Sequence, residues 1–185
     1  MMSSEVVDQA CERAQALIDS GAPRRNVLAC LIQAAEQASP AGAVSSILVL
    51  DKQGLLRNGH SPGLPSDYLE AIDRLKPDPR VGTCAAAAAT ASVVVTPDFL
   101  ADDKWAELKH LPLSLGFVGA WSMPIFSARS GAVLGTFGTY YRDRREPTAF
   151  DVKNIGKLAT LAGLVLDRDY SAEAVHALRL LKESA

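Results

Sequence analysis

Two apolar runs constrain this chain more than any other feature. "FVGAWSMPI" (117–125) and "AVLGTFGTYY" (132–141) both have strand length and are joined only by "FSARSG". A link that short fits an antiparallel pair, since parallel neighbours need a long crossover. Alternation along the second run puts Leu134, Thr136, Gly138 and Tyr140 on one face. Val133, Gly135, Phe137, Thr139 and Tyr141 fall on the other. Glycine inside a strand is unfavourable and often marks close approach by another group. Gly135 and Gly138 lie on opposite faces, so both faces are expected to be crowded.

The remaining elements follow from periodicity. Residues 5–38 read as two helices broken at "SGAP" (20–23) and ended by "SPAGA" (39–43). "SSILVLD" (45–51) and "LLRNGH" (55–60) read as a hairpin about "KQG". A helix is predicted from Ser66 to Leu75 with Ser66 as its cap, and "SVVVT" (92–96) reads as a strand. "KWAELKHL" is a predicted short helix, in which Pro112 closely follows and would bend any continuation. Thr148 and Asp151 mark the start of a long helix to about Asp169, and a separate amphipathic piece is expected at 173–182. The order α-α-β-β-α-α-β-α-β-β-α predicts an α+β domain. Its five or six mostly antiparallel strands carry helices on one face and small elements on the other. Residues 1–185 read as a single domain: N-terminal helices at 1–40, a core at 41–169 and a helical tail at 170–185.

Composition narrows the function classes. The chain has 185 residues, 48% hydrophobic and 22% charged, with a net charge of −2. That is enough chain to bury a full core and offers no basic surface for nucleic acid. Cys11, Cys30 and Cys84 are odd in number, far apart and without a Cys-x-x-Cys, so neither zinc site nor disulfide framework is suggested. Reduced thiols in a cytoplasmic protein are expected. "MMSSEVVDQA" lacks the features of a signal peptide, and "LATLAGLVL" (158–166) is far short of the roughly 20 residues that span a bilayer.

Four motifs, in order, carry a family resemblance: "VGTCAAAAA", "VVVTPDFLADDKWAEL", "LGFVGAWSMPIFSARSGAVLGTFGTYY" and "RREPTAFDVKNIGKLATLAGLVLDR". Together they resemble the GAF domains of bacterial sensor kinases, cyclases and transcriptional regulators. The resemblance implies a small-molecule pocket between the sheet and its smaller loops and helices, and in most members no chemistry. The bilin-binding branch needs histidine after its cysteine, whereas Ala85 follows Cys84. Ala86 and Ala120 also replace residues common in related sensors, so no ligand identity transfers.

The candidate site residues are Thr83, Cys84, Ala85, Ala86, Trp105, His110, Phe117 and Trp121. Thr83 is placed to cap a helix whose dipole would lower the Cys84 thiol pKa and whose free N–H groups would attract anions. The plainer reading of Cys84 and the alanines is small-residue packing. Trp105, Phe117 and Trp121 offer flat apolar walls, or core filling. His110 reads as an axial haem ligand or, more simply, as a surface residue. Asp98, Asp102 and Asp103 read as helix-start charges rather than an acid/base pair, and Arg142, Arg144 and Arg145 as a solvated loop. A small organic acid with an apolar body would fit a helix start beside aromatic walls.

The expectation is a stand-alone or excised sensory module. It would signal through its terminal helices to an output domain or partner protein, as a homodimer built on Val6, Ala10, Leu17, Leu161 and Leu164. Two alternatives compete with it. One is a free methionine-(R)-sulfoxide reductase, which needs a resolving cysteine beside Cys84. The other is a ligand-free dimerisation module whose pocket is filled by large side chains.

Overall fold

A computed structural model describes residues 3–184. The sheet is built from β1 (Val44–Leu50), β2 (Leu56–His60), β3 (Val94–Thr96), β4 (Gly119–Phe126) and β5 (Val133–Tyr141). Every neighbouring pair is antiparallel, in the order β2-β1-β5-β4-β3. The two apolar runs are thus paired and sit inside the sheet, with Ser122 opposite Gly138 and Trp121 opposite Thr139.

One face carries α1 (Ser3–Asp19), α2 (Arg24–Ala38) and α6 (Ala149–Glu183). The α1–α2 break has a definite cause. Gly21 adopts φ +73°, and its N–H and that of Ala22 return to the carbonyls of Ile18 and Leu17. Those two bonds satisfy carbonyls that the end of α1 would otherwise leave free, and Pro23 then starts α2. α6 begins with reciprocal bonds between Thr148 and Asp151, each side chain accepting from the other's backbone N–H. Leu28, Leu31, Ile47, Trp121, Phe137, Leu158, Val165 and Leu166 fill the core between these helices and the sheet.

The other face carries α3 (Ser66–Ala71), α4 (Cys84–Thr90), a 3₁₀ turn (Asp103–Trp105) and α5 (His110–Ser114). α4 packs on β3, β4 and β5, while α3 and α5 approach the strand backbones much less closely.

Several expectations change in the structure. α3 stops at Ala71, not Leu75, because Arg74 turns left-handed (φ 64°) and residues 74–75 bond back to Leu56. Its cap position is Pro65, not Ser66. "KWAELKHL" is split between the 3₁₀ turn and α5. Pro112 bends nothing, because it is the third residue of α5, where no intrahelical N–H bond is needed. The piece at 173–182 is not separate, since α6 continues unbroken through it. The stripe offered as a dimer face is also largely used within the chain. Ala10 and Leu161 are buried, and Leu17 and Leu164 pack against the same core, because α1, α2 and α6 cover one another.

Candidate functional site

A row of small residues crosses the sheet beneath α4. Ser46 on β1, Gly138 on β5 and Ser122 on β4 are directly aligned. Their small size lets α4 settle onto the strands. A Cβ on Gly138 would lie 3.1 Å from the Cys84 Sγ and 3.3 Å from the Ser122 Oγ. Gly135 meets the same demand elsewhere, since a Cβ there would strike the Leu48 carbonyl oxygen at 2.2 Å. Cys84, Ala85, Ala86 and Ala87 are all buried, so the alanine run is the contact surface of α4.

Cys84 belongs to a buried polar chain. Its Sγ lies 3.1 Å from the Ser122 Oγ, and the Ser122 hydroxyl donates to the Thr83 Oγ1 at 2.9 Å. Two expectations change here. Thr83 occupies the cap position of α4, but its hydroxyl serves Ser122 instead of a helix N–H. The thiol is not activated: burial pushes its pKa up, more than the neighbouring hydroxyls of Ser122, Thr136 and Thr83 pull it down. Cys84 is therefore a protonated, enclosed thiol.

Beside this chain, Leu48, Tyr68, Ile72, Thr83, Trp105 and Tyr140 are among the walls of a cavity of about 20 Å³. That is room for roughly one water. The Tyr68 hydroxyl donates to that of Tyr140 at 2.9 Å, and the rings meet edge to face at 6.0 Å. Burial pushes both phenols well above their ordinary pKa, so both stay neutral. Trp105 is 4% exposed and stacks obliquely on Phe99 at 4.4 Å. Its Nε1–H is buried with no acceptor. Leaving such a donor unpaired costs about 1–3 kcal/mol. No charged side chain lines the cavity.

The candidate residues are therefore divided. Thr83, Cys84, Ala85 and Trp105 lie on the cavity wall. Ala86 and Phe117 are buried nearby, with Phe117 packed between Tyr140 and the Arg142 guanidinium. His110 is exposed at the start of α5 and does not reach the cavity. Trp121 belongs to the opposite face: alternation sends Trp121, Met123 and Ile125 toward the helices, while Ala120 and Ser122 face α4. Its Nε1 donates to the Tyr141 hydroxyl at 2.9 Å. The expected anion site at the helix start is not open, since residues 83–86 are buried and the wall holds no cation. Tyr68 was missed because nothing distinguishes it within a short polar helix. Tyr140 was legible, since it shares a face with Gly138.

Most of the acidic and basic candidates have structural partners. Asp102 caps the 3₁₀ turn through the Lys104 N–H and accepts the Thr96 hydroxyl at 2.6 Å. Asp98 pairs with Arg144. Arg142 lies exposed in the loop after β5 as expected, and its guanidinium also donates to the carbonyls of Gly42 (3.1 Å) and Leu115 (2.9 Å). Among the described residues, no group of three or more His, Cys, Asp or Glu side chains could hold a metal ion. No helix among them is long and apolar enough to cross a membrane.

A second feature lies where α6 leaves the domain. Asp167 accepts from the Ser127 hydroxyl (2.6 Å) and the Ala128 N–H (2.8 Å) in the β4–β5 turn. Arg168 donates to the Ala22 carbonyl beyond α1 at 2.7 Å. Asp169 pairs with Arg24 at the start of α2 (3.7 Å), and Glu173 with Lys52 in the β1–β2 turn (3.3 Å). The Tyr170 hydroxyl donates to the Leu50 carbonyl at 2.7 Å. Leu48, on the cavity wall, is two residues back along the same strand. Beyond this collar, Val175, Leu178 and Leu181 are exposed on α6.

Comparison with known proteins agrees with this architecture. The chain is 32% identical over 159 residues to the methyl sulfide methyltransferase-associated sensor of Methanosarcina acetivorans. That match covers 85% of this chain and 16% of the relative, so the chain spans about a sixth of that protein. The GAF domain of a phosphoenolpyruvate-protein phosphotransferase from Coxiella burnetii superposes with a TM-score of 0.67 at 19% identity, covering 94% of this chain and 95% of that one. The free methionine-R-sulfoxide reductase of Neisseria meningitidis, solved with its substrate, gives 0.65 at 16% identity, covering 92% and 96%. These two likenesses concern the fold. A family model for the GAF domain matches residues 4–167, and the chain belongs to the GAF domain family.

Proposed function

We propose that this domain is a regulatory module that binds a small molecule beneath α4 and reports its occupancy through α6. The observation that carries the reading is the collar. Between Asp167 and Glu173, α6 is bonded to the β4–β5 turn, the end of α1, the start of α2, the end of β1 and the β1–β2 turn, and then projects an apolar face into solvent. A change in β1 at Leu48 reaches α6 within two residues, through the Leu50 carbonyl and Tyr170. Occupancy would act by favouring one arrangement of β1 and α6 over another. The sensor role named for the Methanosarcina relative supports the class.

The output would pass to a second copy. Val175, Leu178 and Leu181 recur at helical spacing beyond the last contact with the domain, where pairing with the same stripe removes them from water. Sedimentation of the 185-residue chain tests this. A dimer is expected, with Leu178→Glu plus Leu181→Glu yielding a monomer at an unchanged melting temperature. A monomer at high concentration would reject output through a homodimer.

We propose no sulfoxide reduction by this chain. Cys84 is enclosed, and Cys11 and Cys30 pack against the helix-side core, across the sheet from it. A thioredoxin-coupled assay showing turnover that is lost in Cys84→Ser would overturn this. The reading as a dimerisation module has one observation in its favour, the 20 Å³ size of the cavity. It predicts that no small molecule enters.

A further inference from the structure

We infer that the cavity beneath α4 selects a compact, uncharged hydrogen-bond acceptor, such as a small ketone, amide or sulfoxide, and rejects anions. The inference rests on the ligand-binding reading above and specifies its chemistry.

Its first support is the donor count. The Trp105 indole N–H can only donate, and it is buried without an acceptor. Gly82, also on the wall, lies against the edge of that ring. A Cβ on Gly82 would lie 3.7 Å from Cζ2 and 3.9 Å from Cε2 and Cη2, along the benzene side of the indole. The second donor comes from the tyrosine pair. Tyr68 gives its proton to the Tyr140 oxygen, so the Tyr140 proton remains to be donated. Among the described residues no hydrogen bond from it is formed. Both rings stand on the cavity wall. The Tyr68 and Tyr140 oxygens can each still accept, but the indole N–H has no such choice and can be satisfied only by an acceptor.

Its second support is the absence of charge. Leu48, Ile72, Leu75 and Leu108 form the apolar part of the wall, and no Lys, Arg or His is among the lining residues. An anion would lose its hydration with no cation to replace it, which is the costly way to bury a charge. A neutral acceptor loses far less and satisfies the indole. Its apolar body meets the leucines. The closed cavity holds about one water, so even a three-carbon acceptor requires α3, which supplies Tyr68 close beside Ile72, to yield.

The test uses the two indole N–H signals of the ¹⁵N-labelled 185-residue chain. Trp105→Phe and Trp121→Phe each remove one signal and so assign both. Three probes of matched shape are titrated: acetone, acetate and isobutene. Acetone should move the Trp105 indole proton downfield to saturation, with the Trp121 signal fixed. Acetate at neutral pH and isobutene should leave Trp105 where it is. If acetate moves Trp105 at lower concentration than acetone, the inferred class is wrong and the ligand-binding reading survives. If isobutene acts as strongly as acetone, the occupant is chosen by shape, and the acceptor argument fails. If none of the three moves Trp105, the cavity is closed, and the ligand-binding reading falls with the inference.

Discussion

The two faces of the sheet are built on different chemistry. The helix face is packed by long helices through Leu28, Leu31, Ile47, Leu158, Val165 and Leu166, and its Trp121 N–H has a partner in Tyr141. The α4 face is covered by shorter elements through aromatic rings and buried polar atoms: Tyr68, Cys84, Phe99, Trp105 and Tyr140. Its Trp105 N–H has no partner. Aliphatic packing has no donors to satisfy, so it can close completely. A polar, aromatic core closes only if every donor finds an acceptor. The α4 face falls short at the Trp105 N–H and the Thr136 hydroxyl, and the helix face at the Asn154 Oδ1, but only the α4 face leaves an unpaired donor on a residue that lines a cavity.

Substitutions can break this contrast. Leu158 is wholly buried on the helix face. Leu158→Ala should cost about 2–5 kcal/mol in a denaturant titration, as cavity formation in a tight aliphatic core does. A loss under 1 kcal/mol would show that this face is not the source of stability. Gly138→Ala tests the closeness of α4. Its new methyl meets the Cys84 sulfur, and the expected loss is about 1–3 kcal/mol from overpacking. Adding Cys84→Ala should recover most of that loss, whereas additive losses would mean that the two positions do not touch.

The tryptophans sharpen the contrast on a smaller scale. Both changes to Phe remove similar volume, but Trp121→Phe also strips the donor from Tyr141. Trp105→Phe removes a donor that had no partner. Trp121→Phe should therefore be the more destabilising by about 1–2 kcal/mol. Equal losses would imply that Trp105 is bonded after all.

Much of this was legible in the sequence, for physical reasons. Element order and the β4–β5 pair follow from alternation and short links. The start of α6 follows from Thr148 and Asp151, and the closeness of α4 from Cys84, the alanines and Gly138. The site was legible only in part. Trp121 was assigned to the wrong face because its strand was not phased against Ser122. His110 sits one turn beyond the buried Trp105 and is exposed. The Thr83 hydroxyl was claimed by Ser122, a partner 39 residues away that local reading does not reveal. The collar was invisible for the same reason, since each of its bonds joins α6 to a distant segment.

The central claim is that one face holds the fold while the other can open. Native-state hydrogen exchange measures this directly. Amides of α3 (Ser66–Ala71) and α5 (His110–Ser114) should exchange through local openings well below the global unfolding free energy. Those of α2 and of α6 between Ile155 and Leu166 should exchange only by global unfolding. Equal protection of α3 and α6 would contradict the account.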